Sequence, residues 1–549
     1  MKRAAFWLGL VGFVLVAGWT GLWFFLRGEL AAVLDVQENQ LRAQGDFTVQ
    51  TREIGGYPFA FRIDYAAPTA TFPDGARLAL PWLRGEASVF SGGEIRLILP
   101  AEIDIDLPDG LDAPATLARQ MRLIAQGLTA KMRYAGSGRL DYSVEAERLV
   151  LARRSGSTVA DVLTEADGVS ARLVSDPASP TLEGSLLAAL ATLAVPAEPG
   201  LPPIRATLVD ATVALRADRS DTLAVAALLA GTHPVDIRLS AAEIAMEATT
   251  AGPGGAGRLS ASGVLGELGL ALREGTAATA ILLSDLVAEY TPQTAGQSLP
   301  PFSFEASEIG FLIDMPVQAS PEPAPLTLSL ALSDFSANDL AWAALDPSAA
   351  LTRAPLSLAL ELAADLRLNV DMPAVLQGAT PPGQRAFDIL EFRLEELGAQ
   401  GLGVEIVGKG DGALPGPQAQ APRDGRVELI ASGLPELAEA LETAGLISAQ
   451  DRLLARSLMT VLTRPDAANG TLVSVIAAGP QGMTINGLPM ASLVAAIPSR
   501  PAPDTRNAPL PPRASPAPQT TPGPGRPLSE PLPQPLSEPP AIPPASPEP

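Results

Sequence analysis

The chain has 549 residues and a formal net charge of −22. Once Lys2, Arg3 and Arg27 are set aside, residues 28–549 carry all 60 acidic side chains and a net charge of −25, which repels phosphate backbones and argues against nucleic-acid partners. Cysteine is absent, so disulfide bridges, thiolate metal sites and cysteine nucleophiles are excluded and the fold must depend on a hydrophobic core.

The first feature in chain order is an uncharged segment, Ala4–Leu26, between Arg3 and Arg27. Its 23 residues would form a helix roughly 35 Å long, enough to cross a bilayer core of about 30 Å. A cleaved signal peptide is the alternative, but that class has a shorter apolar region followed by small residues. The segment therefore predicts an uncleaved membrane anchor over 1–27, with aromatic residues at the lipid interfaces: Trp7, Trp19, Trp23, Phe24 and Phe25.

Orientation follows from the basic residues that flank this segment. Lys2 and Arg3 precede it, whereas Arg27 is soon followed by Glu29 and Asp35. The positive-inside rule then leaves the N-terminus in the cytoplasm and exports the remaining chain. The lack of cysteine agrees with an oxidising compartment.

Beyond the anchor, Gly28–Gln44 has a helical pattern, and we predict a helical stalk over 28–54. The region 55–497 is dominated by strict alternation of apolar and polar residues, which is typical of half-buried strands. Stretches of this kind are 59–65, 94–99, 102–107, 138–144, 235–239, 326–332 and 425–430. The predicted fold class is mainly β with a few helices (α+β), built on a large, curved, antiparallel meandering sheet.

Two segments carry helical spacing instead, Glu183–Ala194 and Pro435–Leu462, and are predicted to pack on the sheet. A short similarity links Leu283-Ser-Asp-Leu286 to Leu332-Ser-Asp-Phe335. It suggests an internal repeat, but chemistry common to strand ends explains it equally well, and we favour that interpretation.

The C-terminal segment 498–549 contains 20 prolines and is predicted to be disordered, with polyproline II character. Its P-x-x-P spacings could dock a partner protein of the cell envelope, while a simple spacer is the favoured alternative.

Residue patterns that could carry chemistry all have a simpler explanation. Gly403–Lys409 has the spacing of a phosphate-binding loop, but Gly410 stands where Ser or Thr would hold magnesium, and the segment resembles a strand. Gly252–Gly257 matches the letters of a dinucleotide-binding fingerprint, but we predict that it is a flexible loop. The only histidine, His233, lies in a turn. Glu102, Asp104 and Asp106 could attract a cation together with Asp109, but alternating acids usually form a solvent face. We therefore expect no catalytic residues, no metal and no cofactor.

Two short motifs resemble an uncharacterised proteobacterial family, DUF2125. The first is Gly55-Gly56-Tyr57-Pro58-Phe59, which leads from the stalk into a strand, and the second is Gly482–Pro489, which contains Asn486 and Gly487. The resemblance would extend over roughly residues 1–495. It implies a single-anchor protein of the bacterial inner membrane with its bulk in the periplasm, and a looser architectural likeness to AsmA-like proteins, some of which handle lipids.

These observations lead to two functional hypotheses. The first is a non-enzymatic periplasmic module that binds lipid or acts as a scaffold, with an apolar groove for acyl chains and helix 435–462 as its lid. The second is an adaptor with an ordinary filled core that works through its surface and the proline-rich tail. An envelope hydrolase has no supporting residues in the sequence.

Overall fold

The computed structural model describes residues 2–490 with gaps. Outside the described part lie residues 1, 45, 72–74, 91–92, 108–119, 135–138, 156–157, 177, 196–201, 219–233, 253–254, 274, 295–296, 299, 377, 379, 381–384, 414–423, 467–468, 480–481 and 491–549, and also some side chains within helices and strands, those of residues 2–15 among them. His233, Asp109 and the proline-rich tail therefore lie outside the described residues.

The helices and strands have the following bounds. The helices are α1 Lys2–Gln44, α2 Asp339–Leu345, α3 Met372–Leu376, α4 Leu434–Thr443 and α5 Ala449–Leu462. The strands are β1 Asp46–Thr48, β2 Thr51–Gly55, β3 Ala60–Ala66, β4 Thr69–Thr71, β5 Arg77–Ala79, β6 Trp82–Ser88, β7 Glu94–Ile98, β8 Glu102–Asp106, β9 Gln120–Gln126, β10 Thr129–Tyr134, β11 Leu140–Ser155, β12 Thr158–Ser175, β13 Thr181–Val195, β14 Ile204–Asp218, β15 Val235–Gly252, β16 Gly255–Arg273, β17 Thr276–Thr294, β18 Gln297–Ser298, β19 Phe302–Pro316, β20 Ala324–Ala337, β21 Leu356–Leu368, β22 Phe387–Gly401, β23 Val404–Ala413, β24 Gly425–Ser432, β25 Arg464–Asp466, β26 Thr471–Gly479, β27 Gly482–Ile485 and β28 Leu488–Pro489.

All described strands belong to one antiparallel sheet. From β11 to β17 each long strand pairs with the next, and the meander continues through β19–β24 to β26 and β27. Each alternating stretch of the sequence lies, over its described residues, within a strand of this sheet to within one residue at its ends. The predicted fold class, mainly β with a large antiparallel meander, is confirmed.

The beginning of the sheet consists of two ladders of short strands that meet at β11. One ladder joins β2, β3, β6, β7 and β10, and the other joins β1, β4, β5, β8 and β9. β10 pairs with the first half of β11 and β9 with its second half. The sheet is therefore already divided along its middle before the long strands begin.

The long strands continue this division as a line of bends near their centres. Gly168, Asp210, Asp285 and Asp334 have positive φ angles between 50° and 61°. The ladder skips Asp210 between the pairs Val209–Glu243 and Thr212–Ser240, and it skips Asp285 in the same way. The register is the same on both sides of each gap, so no residue is inserted; the left-handed backbone of a single residue interrupts the ladder and bends its strand locally. We call this line of bends across β12–β20 the seam.

The deepest part of the hydrophobic core follows the seam. Leu208 and Ala211 flank Asp210 and are each 3% exposed, and Leu265 on β16, opposite Leu283 near Asp285, is 4% exposed. Together with residues of β8, β9, β11, β12, β13 and β15 they form one apolar cluster. The bends thus bring apolar side chains of consecutive strands together at the centre of the sheet.

The seam corrects the interpretation of the two Leu-Ser-Asp motifs. Strand-end chemistry was the favoured explanation, but Leu283–Leu286 lies in the middle of β17 and Leu332–Phe335 lies inside β20. In both motifs the aspartate adopts the left-handed conformation, which Asp tolerates better than most residues because its short polar side chain can bond locally. The motif therefore marks a bend.

Three other predictions require correction. Glu183–Ala194 is not a helix but part of β13, because β12 and β14 supply hydrogen-bonding partners on both sides and this outweighs the helix propensity of an Ala- and Leu-rich segment. Pro435–Leu462 forms two helices rather than one, interrupted at Gly445 with a φ of 74°. The stalk helix ends at Gln44, as the pattern over Gly28–Gln44 predicts, so β1 and β2 occupy the last part of the predicted stalk 28–54.

Among the residues that the structure describes, no helix is both long enough and apolar enough to cross a membrane. The predicted anchor Ala4–Leu26 lies within α1, and its side chains before Val16 fall outside that description.

We predict that the seam depends on residues that accept a positive φ. Replacing Asp285 by valine places a β-branched residue at a φ of 51°, which should lower the free energy of unfolding by about 1–3 kcal/mol in urea denaturation. Asp285→Gly is the matched control, because glycine adopts this conformation readily. Equal losses for the two variants would mean that the bend is not what makes the position sensitive.

Candidate functional site

One face of the sheet is apolar across consecutive strands. Directly paired residues share a face, so the register identifies its members. Leu215 pairs with Ile237 and Ile237 with Leu270; further along, Ile281 pairs with Phe311, and Phe311 with Leu330. The same face continues over β21 and β22 through Leu360 and Leu397. We call this surface the apolar face; it extends from β11 to β26.

The apolar face is deep at the seam and open on either side of it. Ala241 and Leu265, at the seam, are each 4% exposed. Away from the seam, large side chains of the same face remain accessible: Leu268 at 43%, Leu270 at 42% and Leu330 at 40%. Leucine side chains in a filled core are almost fully buried. We call this surface, closed at the seam and partly open on either side of it, the trough.

The opposite face of the same strands is mostly polar. On β15 it presents Asp236, Arg238 and Glu243, and Arg238 pairs with Asp236 at 3.1 Å. On β14 it presents Arg205 and Arg216. This difference gives the sheet a solvent face and an apolar face, and it makes the trough the candidate binding surface.

Glycines shape the trough at β23. The segment Gly403–Lys409 lies at and in this strand, as its strand-like pattern predicts, and it opens no helix. Gly408 pairs with Leu397 and Leu429, and a Cβ at this glycine would lie 2.6 Å from a methyl carbon of Leu429. Its role is therefore to make room for neighbouring leucines, which explains the glycine spacing without a phosphate.

A cavity of about 570 Å³ lies across the ends of β20–β24. Apolar-face residues Leu326, Ala364 and Phe392 line it together with Asp365 and Asp424. At the strand ends, apolar-face residues and acidic groups therefore border the same cavity.

A cluster of aromatic rings joins α1 to the β2–β3 hairpin. Trp23 is 5% exposed and stacks on Phe61 with ring centres 5.6 Å apart, while Trp19 stacks on Phe90 at 6.0 Å. We call the cluster the aromatic collar; its members are Trp19, Trp23, Phe24, Tyr57, Phe59, Phe61 and Phe90. Three residues predicted to face the lipid interface, Trp19, Trp23 and Phe24, therefore contact the sheet. Phe25 is largely exposed, and the side chain of Trp7 lies outside the description.

Hydrogen bonds fix the hairpin tip against the helix. The indole N–H of Trp19 donates to the carbonyl of Pro58 at 2.9 Å, and that of Trp23 donates to the carbonyl of Ala60 at 3.2 Å. Gly56 has a φ of 100°, and a Cβ there would lie 2.6 Å from the Ala60 carbonyl oxygen. The Gly56-Tyr57-Pro58-Phe59 motif thus forms the tip that receives the helix.

Further along α1, charged groups hold the helix to the same hairpin. The carboxylate of Glu38 accepts hydrogen bonds from Arg52 at 2.6 Å and from the hydroxyl of Tyr65 at 3.2 Å, and its side chain is only 10% exposed. Asp35 accepts a second bond from Arg52 at 2.7 Å. Burial, reinforced by the charge of Glu38, raises the pKa of Tyr65 to about 12.

The second motif forms a structural turn far along the chain. Asn486 and Gly487 both have positive φ angles and connect β27 to β28 as a two-residue hairpin loop, a conformation that the dipeptide Asn-Gly favours. The amide of Asn486 donates to the carbonyl of Leu462 at 2.8 Å and accepts from the N–H of Val475 at 2.9 Å. Asn486 therefore ties the end of α5 to β26.

Arginines hold the alternating acids of β8, which the sequence predicts to form a solvent face rather than a cation site. Arg122 contacts Glu102 at 3.0 Å and Asp104 at 2.8 Å, and Arg154 contacts Asp106 at 2.6 Å. Across the described residues, no group of three or more acidic or histidine side chains is arranged to bind a metal ion. Glu102, Asp104 and Asp106 thus form ion pairs with arginines of nearby strands.

Sequence reasoning missed the collar and the seam. Their signals were present separately: tryptophans near the end of an apolar segment, a Tyr-Pro-Phe tip some 35 residues later, and repeated Leu-Ser-Asp motifs. The contacts between them depend on strand register, which the sequence pattern does not specify.

Comparison with known proteins gives one match. Residues 23–266 match the family model of DUF2125, described as an uncharacterized protein conserved in bacteria. This region includes most of the collar and the Gly56–Phe59 motif, whereas Asn486 and Gly487 lie beyond it. No curated protein and no solved structure matches the chain.

We predict that Tyr65 reports on the docking of α1. Its pKa rises from 10.0 to about 12 on folding, so between these pH values the folded chain keeps a proton that the unfolded chain releases, and stability falls as the pH rises. Tyr65→Phe should weaken this alkaline loss of stability and remove a late step from the tyrosinate absorbance titration. Tyr134→Phe, at an exposed position, should leave that step in place. Burial also raises the pKa of Tyr142, so some late absorbance remains in every variant; a late step of undiminished amplitude in Tyr65→Phe would contradict the assignment.

Proposed function

We propose, from the premise that residues 23–266 belong to the DUF2125 family, that this chain is a non-enzymatic lipid-binding module of the bacterial cell envelope. In this proposal Ala4–Leu26 anchors it in the inner membrane, the N-terminus lies in the cytoplasm, and the sheet lies in the periplasm. The apolar face takes up the acyl chains of a lipid, and the lipid headgroup remains at the open side of the trough.

One observation carries the proposal: large apolar side chains of the trough walls stay accessible in a fold that has ample sheet to bury them. Leu268, Leu330 and Leu358 lie on three different strands of the same face and are each at least 40% exposed. Leaving such a surface in water is unfavourable by about 25 cal/mol for each Å². An acyl chain is a suitable occupant because it is apolar, flexible and long enough to contact several strands.

The width of the apolar face also suits a lipid better than a compact metabolite. The face crosses fourteen strands from β11 to β26, and neighbouring strands are about 4.8 Å apart, so the ladder measures roughly 60 Å along its course. Pockets for compact ligands are enclosed and limited in volume. A surface this extended supports several acyl chains or the movement of one lipid along the trough.

The role of α4 and α5 as a lid remains part of the proposal. Leu453 and Leu454 on α5 are 58% and 39% exposed, so the helix pair keeps apolar surface that could cover lipid. The alternative is an adaptor that acts through its polar face and through the tail after residue 497. Lipid content distinguishes the two, because an adaptor with an occupied core would purify without lipid.

We predict that charge in the trough displaces lipid. Purified full-length chain should contain extractable phospholipid, counted by native mass spectrometry, and the double variant Leu268→Glu with Leu330→Glu should lower lipid occupancy about tenfold, because each carboxylate would face acyl chains. The whole chain is required, since α1 packs on the sheet.

The matched control for this experiment lies on the opposite face. Leu282 and Leu312 are 37% and 41% exposed and occupy neighbouring strands, but they pair with residues of the polar face. Leu282→Glu with Leu312→Glu should leave the lipid content unchanged. Equal lipid loss in both double variants, or no lipid in the parent chain, would favour the adaptor.

We predict separately that the anchor depends on its uncharged centre. Replacing Leu15 and Val16 by arginine should prevent membrane integration, because each charge costs about 2.5–3.5 kcal/mol at a helix centre. Carbonate extraction of membranes checks this, with Leu15→Phe and Val16→Phe as the apolar control. An arginine variant that still fractionates as an integral membrane protein would refute the anchor.

A further inference from the structure

We propose that the aromatic collar is a membrane-contacting surface, in which the Tyr57–Phe59 tip and Phe90 enter the lipid interface beside α1. This inference rests on the proposed anchor and goes beyond it. The anchor alone requires only that one helix crosses the bilayer, whereas the collar would attach the sheet itself to the bilayer surface.

The first argument is the level that the hairpin tip reaches along α1. The uncharged segment ends at Leu26, and Trp19 lies seven residues earlier, which is about 10 Å along a helix. The tip reaches the level of Trp19, because Pro58 accepts its indole N–H. When residues 4–26 lie in a bilayer, the tip therefore overlaps the outer part of the same apolar layer.

The second argument is what the tip exposes. Phe59 is 58% exposed and Phe90 is 72% exposed, although both contact Trp19. Phe24 and Phe25 on the helix add exposures of 55% and 63% at a neighbouring level. Together they form one apolar surface continuous with the predicted membrane segment, and aromatic side chains favour the lipid interface.

The third argument is that polar groups at the tip have hydrogen-bond partners within the protein. Backbone groups in contact with lipid need partners within the protein. The carbonyls of Pro58 and Ala60 accept the indole N–H groups of α1, and the carbonyl of Phe59 accepts the N–H of Val89 at 3.0 Å. The hydroxyl of Tyr57 bonds to that of Thr20 at 2.7 Å. These partners prepare the tip for an environment that contains little water.

Charged groups begin where the lipid interface would end. The guanidinium of Arg27, the first charge after the apolar segment, donates to the carbonyl of Ile54 at 3.0 Å, beside the base of the tip. Arg62 follows on β3 and pairs with Asp64 at 2.9 Å. The change from aromatic to charged residues thus occurs at the same level on the helix and on the hairpin, as a protein at a bilayer surface requires.

The absence of cysteine from the chain permits a direct test. Phe90→Cys in the full-length protein provides a single attachment site for a fluorescent label, and Phe387→Cys, at a phenylalanine with 45% exposure on β22, provides the matched control. Both labelled chains are reconstituted into phosphatidylethanolamine and phosphatidylglycerol vesicles, with and without lipids that carry a quencher at a shallow acyl position. We expect loss of fluorescence at position 90 and none at position 387.

The outcomes separate the collar from the anchor. A chain that fails to float with vesicles refutes the anchor and the collar together. A chain that floats but keeps full fluorescence at position 90 refutes the collar alone, and protection of this label only at high protein concentration would indicate that a second copy covers the surface instead. Circular dichroism of each variant verifies that the sheet is retained, and Tyr57→Cys repeats the measurement at a second position of the tip.

Discussion

The structure depends on the alignment of bends in consecutive strands. In a flat antiparallel sheet the side chains of each face point away from the sheet along its whole length. Such a sheet cannot enclose a core by itself. Here left-handed residues near the centres of long strands, such as Asp210 and Asp285, interrupt the ladder at the same level without changing its register. Because the bends coincide, apolar side chains converge on one side, and a single sheet forms a core without a second layer of comparable size.

The same constraint explains why the core is only partly closed. Residues next to the bends, such as Leu208 and Leu265, are surrounded by neighbours from both halves of the sheet. Side chains several residues away from a bend, such as Leu270 and Leu330, remain partly accessible. The seam thus produces a stable floor and open apolar walls at once, and the stability of the sheet and its proposed capacity for lipid have the same origin.

The relation between sequence and structure differs from one element to another. Alternation identified the strands because a period of two is independent of which strand lies beside which. It failed at Glu183–Ala194, where leucines on both faces of β13 imitate helical spacing, and the ladder partners decide the conformation. The seam could not be predicted, since Leu-Ser-Asp is compatible with a strand end and only the aligned register of β17, β19 and β20 makes it a bend. The collar could not be predicted because its residues on α1 are separated from the hairpin tip by the second half of α1 and the first two strands.

The anchor and the trough are mechanically connected through α1. A flexible linker between them would let the sheet take any orientation relative to a bilayer. The helix instead continues without interruption from the predicted membrane segment to Gln44, and it is held to the first hairpin by Trp19 and Trp23 near one end and by Glu38 near the other. The bonds at both ends resist rotation as well as tilting. If the apolar segment lies in a bilayer, the first strands of the sheet must lie close to it, and the trough, which begins at β11, follows the two ladders that start there. Such an arrangement suits the transfer of an apolar molecule, because the molecule could pass from lipid to the apolar face without crossing an extended layer of water.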